Sequence, residues 1–379
     1  MTTVGFFNPL ASRSRSRLVL NLGWVLADSG FRVVLVDLDP SATLTELSGA
    51  LERAGRTVFD ELTRRKVAVP ALAVPTPALA EIGESIWIAK ADPRLAILDA
   101  AVAADPAAPP LGDALRSMID AAAAEVDASF VLCDLPAGLG HMVRAAIECS
   151  NVICVPVSGR KLESYVAEGL EASWGSWRGE GVPFRDRFSW IEVHSGHDAE
   201  NARIAAARFQ ERLGGAVMGS LKEFPSLSAT ASAAQKADVA LTMADGVNVS
   251  QLAAVADLRR QHEVLATALL RASGVTDDDA FRKEVELALY TVLSEEMPAA
   301  LDTLSSGTSI HSIEDVEIER VDVQRGGVRV AGAASVSVGR DGEDTTMSFP
   351  MKFDVALDRS HASANRVMRL DVDTSSSHE

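Results

Sequence analysis

Cysteine is scarce in this chain of 379 residues: Cys133, Cys149 and Cys154 are all there are. Three thiols at those spacings match no metal-ligand pattern and build no disulfide framework, so reduced, buried thiols are expected. Long apolar runs are missing too. No stretch reaches the about 20 apolar residues that cross a bilayer. The N-terminal MTTVGFFNPLASRSRSR has its bases after its apolar run, the reverse of a secretory signal. A cytoplasmic protein without a membrane role is expected. Bases are in deficit, 36 Lys+Arg against 53 Asp+Glu, net −17. A field of that sign does not draw nucleic acid or anionic lipid to the chain as a whole, which leaves only local basic patches. What is present is ordinary: 47% hydrophobic and 23% charged residues exclude wholesale disorder and a fibrous protein.

The charge is unevenly spread. Residues 273–379 hold 21 acids against 10 bases, net −11, and residues 1–272 hold 32 against 26, net −6. The acidity that argues against nucleic acid therefore belongs mostly to the C-terminal part.

Residues 3–7 form a short β-prone run, and residues 18–27 are apolar in a helical rhythm. Asp28-Ser29-Gly30 stops that helix, with glycine where a C-cap wants it. Residues 32–37 are a continuous β-branched run, suited to a strand buried on both faces. This βαβ unit predicts a doubly wound, mostly parallel α/β sheet. Residues 67–110, rich in proline and alanine, read as an insertion with one strand at 85–89. Further strands are expected at 130–134, 151–157, 189–194 and 217–221, and helices at 111–125, 201–213 and 251–271.

After Gly274 the pattern changes. Asp277, Asp278 and Asp279 open a helix whose apolar face is Phe281, Val285, Leu289 and Val292. From Ile313 the period becomes two. Val316, Ile318, Val321 and Val323 precede Gly326-Gly327, a hairpin signal that Val328 and Val330 follow. Met347, Phe349, Met351, Phe353, Val355 and Leu357 alternate, and Pro350 on the other face predicts an edge strand. The expected organisation is an α/β domain at 1–272, a smaller α+β domain at 275–373 and a polar tail at 374–379.

No glycine-rich phosphate loop is present. The loop between the first strand and helix reads Asn8-Pro9-Leu10-Ala11-Ser12-Arg13-Ser14-Arg15-Ser16 and lacks G-x-x-x-x-G-K-[ST]. Yet its surroundings resemble the ParA/MinD/Soj family of deviant Walker-A ATPases. Asn8, Asn21-Leu22, Leu26-Ala27, Gly30 and Asp37-Leu38-Asp39-Pro40 fall at that family's offsets. Val131-Leu132-Cys133-Asp134-Leu135-Pro136-Ala137 matches its strand ending in D-x-P. Val155-Pro156-Val157 matches the next strand, and Phe224-Pro225 is similar to an Ile-Pro near the adenine. The resemblance covers about residues 1–272.

The resemblance implies a P-loop fold, a nucleotide-sandwich dimer, ATP and Mg²⁺ as cofactors, nonspecific DNA binding and cycling by a partner protein. It also marks where this chain departs. Leu10 stands for the signature lysine that crosses the dimer, and Ala11, Ser12 and Ser14 stand for glycines. Arg13 fills the intervening position. Arg15 replaces the P-loop lysine, and Ser16 the Mg²⁺-binding threonine. Asp39 matches the switch I aspartate near the attacking water, and Asp134 the aspartate near magnesium. Residues 10–16 are thus the candidate nucleotide or anion contacts, Ser16, Asp39 and Asp134 the candidate metal ligands, and Asp39 a vestigial catalytic group.

The departures are physically costly for a phosphate cradle. A non-glycine residue in a left-handed conformation costs about 1–2 kcal/mol, and side chains at positions 12 and 14 intrude where phosphate meets backbone amides. Arginine's planar fork is a poor copy of a lysine point charge. The expected function is a ParA-like pseudo-ATPase scaffold, a homodimer or a heterodimer with an active paralogue, whose C-terminal domain meets a protein partner. A slow Mg-dependent ATPase and a defence or signalling adaptor are the alternatives. Arg13, Arg15 and Arg17 alternate with serine and read either as an anion site or as a solvated loop. Arg259 and Arg260 are DNA-contact candidates, or part of a scattered solvated set.

Overall fold

The computed structural model describes residues 1–8, 13–51, 55–63, 72–73, 85–104, 111–158, 171–172, 175, 187–194, 198–222, 249–295, 308–340, 346–358 and 365–373. The chain divides into a larger unit, Met1–Ala27 with Phe31–Leu265, and a smaller one, Asp28–Gly30 with Ala266–Glu379.

In the larger unit, β1 (Thr2–Phe6) leads into α1 (Arg13–Asp28) and β2 (Val33–Asp37). Gly30, at φ 84°, makes the left-handed turn between α1 and β2 that a side chain would strain. Two one-turn helices, α2 (Thr43–Leu47) and α3 (Val58–Leu62), follow. The insertion contributes β3 (Leu72–Ala73), β4 (Ile86–Ala89) and α4 (Leu95–Ala104). Then come α5 (Leu111–Glu125), β5 (Phe130–Asp134), α6 (His141–Cys149) and β6 (Val152–Val157). The unit continues with β7 (Phe188–His194), α7 (Ala199–Leu213), β8 (Ala216–Lys222) and α8 (Val249–Ala272), whose last turns pass into the smaller unit.

The strand order is β3-β4-β2-β5-β1-β6-β7-β8, parallel throughout except for β3 against β4. Every residue of β1, β2, β5 and β6 is buried, as continuous apolar runs covered on both faces by helices must be. Trp190 on β7 is fully buried; its ring stacks on Phe188 at 5.8 Å and lies 5.1 Å from Phe209 on α7. The three cysteines are free and buried, and burial drives each thiol's pKa up. His262 on α8 is buried too. Its Nδ1 lies 2.8 Å from the Leu258 carbonyl, Nε2 meets no partner among the described residues, and burial pushes its pKa down to about 4. No helix among the described residues is long and apolar enough to cross a membrane.

The smaller unit has α9 (Asp279–Glu295) against an antiparallel sheet of β9 (Thr308–Gln324), β10 (Gly327–Arg340), β11 (Thr346–Leu357) and β12 (Arg366–Val372), in the order β12-β11-β10-β9. Three expectations are corrected here. Pro350 does not mark an edge strand, because β12 flanks β11. It sits one residue before that pairing begins at Met351, so its missing N–H breaks no ladder bond to β12. The hairpin turn is Arg325-Gly326 rather than Gly326-Gly327. Gly327 already pairs with Gln324, and a Cβ there would lie 2.0 Å from the Leu357 carbonyl oxygen. The buried face of α9 ends on Leu293, with Val292 half-buried. Ile318 and Val321 reach the same strand at odd spacing because β9 slips register between Ala331 and Gly332 of β10.

Candidate functional site

Strands β2 and β5 are neighbours in register, which sets Asp37 opposite Asp134 at their C-terminal ends. Asp39 lies two residues further on. Helix α1 enters from β1, the strand on the other side of β5, and brings Arg15 and Ser16 to the same ends. Asp37 and Asp134, far apart in the sequence, are brought together in this way by parallel pairing alone.

Arg15 is turned onto the acids. Its Nε donates to Asp134 Oδ1, and its Nη2 donates to Asp39 Oδ2 at 2.5 Å. Ser16 Oγ donates to Asp134 Oδ2 at 2.5 Å. The Arg15 side chain is 1% exposed, Asp134 0% and Asp39 14%. Arg15 Nη1 is buried with no partner among the described residues. Burial works against the guanidinium's charge, but Asp134 and then Asp39 more than offset it and raise its pKa. Asp134 is pushed up by burial and held back by Arg15 and Ser16.

Asp37 is fully buried and accepts three bonds, from Thr45 N at 2.8 Å, Thr45 Oγ1 at 2.7 Å and Asp39 N at 3.1 Å. Burial first, and then the charge of Asp134, push its pKa up to about 8, against the pull of those donors. One guanidinium thus faces the carboxyls of Asp39 and Asp134, with Asp37 beside them, and the cluster holds no surplus of positive charge.

The segment after β2 is tied to these acids. Ser41 N donates to Asp39 Oδ1 at 2.9 Å, and Ala42 N to the Asp39 carbonyl at 2.9 Å. Ala42 takes a left-handed φ of 52° as it leads into α2. Thr45 Oγ1 also accepts from Ala91 N at 3.0 Å. The sequence did not single out Thr45. Nothing in Ser41-Ala42-Thr43-Leu44-Thr45 distinguishes the buried threonine from Thr43, which is only partly buried. A cavity of about 350 Å³ opens beside Asp39, walled by Leu38, Pro40, Leu95, Pro136 and Met142.

These residues, so arranged, do not fit a magnesium ion. Both carboxylates that the resemblance assigns to metal and water accept from the guanidinium, which has no lone pair to offer. Ser16 points its hydroxyl proton at Asp134. Among the described residues no group of three or more His, Cys, Asp or Glu is placed to hold a metal. Leu10, Ala11 and Ser12 lie outside the described residues, as does Phe224-Pro225, and Arg13 and Ser14 are described only as the first residues of α1. Of the DNA candidates on α8, Arg259 is 12% exposed and paired with Glu263 at 2.8 Å, while Arg260 is exposed.

No family model and no curated protein sequence matches the chain. Solved structures do. McdA of Cyanothece, in an ATP complex, matches at 15% identity and a TM-score of 0.52, over 71% of this chain and 96% of that one. A plasmid partition protein of Borrelia burgdorferi bound to AMPPNP matches at 12% identity and 0.50, over 71% and 98%. The MinC:MinD cell division complex of Aquifex aeolicus matches at 15% identity and 0.50, over 72% and 96%. The chain therefore has the fold of the ParA/MinD-type P-loop ATPases, with a separate four-stranded antiparallel domain after it.

Proposed function

We propose that this chain is a ParA-like positioning or partition protein that has lost Mg-dependent ATP hydrolysis and acts as a dimeric scaffold. The observation that carries this is the Arg15 guanidinium lying between Asp39 and Asp134. It engages the two acids that hydrolysis needs for metal and water. It also leaves the guanidinium already engaged by two acids, at a site to which a nucleoside triphosphate brings several more negative charges. Binding partners follow from the charge division. The C-terminal domain, net −11, is suited to a protein partner with a basic surface, and the larger unit, net −6, retains room for a basic face. The dimer pairs two copies, or one copy with an active paralogue that completes hydrolysis.

Calorimetry with ATP and Mg²⁺, paired with a phosphate-release assay, tests the reading. The expected result is no Mg-dependent turnover in the native chain. Binding that Arg15→Ala and Asp134→Ala both abolish, together with phosphate release, makes the protein a slow ATPase instead. DNA binding has its own test. Retention of duplex DNA without nucleotide is expected at low salt, with a steep salt dependence. Arg260→Glu lowers retention for all sequences alike and reduces the salt slope by about 1 for each phosphate that the arginine neutralises. Absence of retention at low salt removes DNA from the function.

A further inference from the structure

The position of Arg15 has a consequence beyond lost hydrolysis. A divalent ion in such a fold would neutralise the acid at the end of β5 and tie it to the segment that follows β2. The guanidinium does both. Nε is on Asp134, which ends β5, and Nη2 is on Asp39, which opens the segment leading to α2. Among the described residues Arg15 is the base paired with either acid. The tie extends further, because Asp39 holds Ser41 and Ala42 through its own oxygens, and Thr45 is fixed to Asp37 and Ala91. The side chain is sealed from solvent, as a structural ion would be.

We propose that Arg15 is a built-in substitute for a divalent cation: the native chain takes no metal between Asp39 and Asp134, and removing the guanidinium uncovers a latent site for Mg²⁺ or Mn²⁺ made by Asp39, Asp134 and Ser16. Two carboxylates, a hydroxyl and water are the oxygen donors such ions accept. The segment after β2 is then held permanently in one arrangement rather than by a bound ligand. This inference rests on reading Arg15 as the group that disables the nucleotide site, yet its test needs no nucleotide.

The test is thermal unfolding and calorimetry of the full chain with Mg²⁺ or Mn²⁺ alone. The native protein is expected to show no metal-dependent shift. Arg15→Ala melts lower without metal and is restored toward the native midpoint by either ion. It binds one ion with a dissociation constant at least about tenfold tighter than the native chain, since one positive charge has left the cluster. Arg15→Lys keeps a positive charge and stays insensitive to metal. Arg15→Gln, closer in size, serves if the alanine variant does not fold. Adding Asp134→Asn to either neutral variant abolishes the restoration. Equal metal response in the native chain and the variants overturns the proposal, and so does a folded Arg15→Ala or Arg15→Gln that gains none. Either result with a native chain that is inert toward ATP leaves the scaffold reading standing, whereas native ATP turnover removes that reading by itself.

Discussion

Arg15→Ala is expected to destabilise the larger unit by about 3–5 kcal/mol at pH 7, because it leaves buried charge without its partner. Asp134 has no exposure and Asp39 little, so the acids keep most of their desolvation cost when the guanidinium is lost. Ser16 satisfies only one oxygen of Asp134. The sign of the charge, more than the loss of volume, sets the cost. Replacing the whole group with neutral residues, Arg15→Met with Asp39→Asn and Asp134→Asn, is expected to cost less than Arg15→Ala alone, since exchange of a complete buried pair for uncharged groups is often close to neutral. Urea unfolding followed by tryptophan fluorescence measures this directly. All five tryptophans lie in the larger unit, so the signal reports that unit alone. The penalty of Arg15→Ala also shrinks on acidification as Asp134, raised by burial, takes up a proton. A penalty that does not change with pH places the cost in packing rather than charge.

The second large effect is a stability profile set by two opposed buried groups. Asp37 has its pKa raised from 3.8 to about 8. Its contribution is fully present below the unfolded value and is lost as pH rises through the folded one. His262 has its pKa lowered from 6.5 to about 4, so the unfolded chain takes up a proton there that the folded chain refuses, and stability falls with acid. Between the two ordinary values the slopes oppose each other, one proton gained on folding and one lost. The native protein is expected to be nearly flat between the ordinary values of the two groups, and to lose stability as pH rises from 6.5 toward about 8 and Asp37 gives up its proton. Asp37→Asn removes the loss between 6.5 and about 8, below the range where the buried thiols add their own, and exposes the acid loss of His262. His262→Gln does the reverse and leaves stability rising steadily toward acid. A native profile with no alkaline loss that Asp37→Asn relieves excludes the assignment to Asp37.

The parallel core was legible in the sequence because a strand buried on both faces leaves a continuous apolar run. Residues 33–37, 130–134 and 152–157 carry that mark, and they are the centre of the sheet. The acids were legible as well, since carboxylates that end such runs stand out. Edge and turn details were less so. Pro350 and Gly327 each satisfy two local readings, and only the strand laid beside them decides which is right. Strand β12, with three charged residues in seven, has no apolar signal comparable to that of β11.

The amino-acid sequence by itself determined the fold of the larger unit, the missing glycines and lysines of its loop, and the division of charge between its parts. These are properties of composition and of local pattern, which need no partner to be read. Only the tertiary structure decided where the Arg15 guanidinium goes. In the sequence, Arg15 is one of three arginines alternating with serine, as suited to an anion as to solvent. Whether it faces phosphate or carboxylate depends on β2 and β5 setting Asp39 and Asp134 within reach, 24 and 119 residues away along the chain. A buried charge takes its role from the groups that desolvation forces on it, and those are chosen by the sheet.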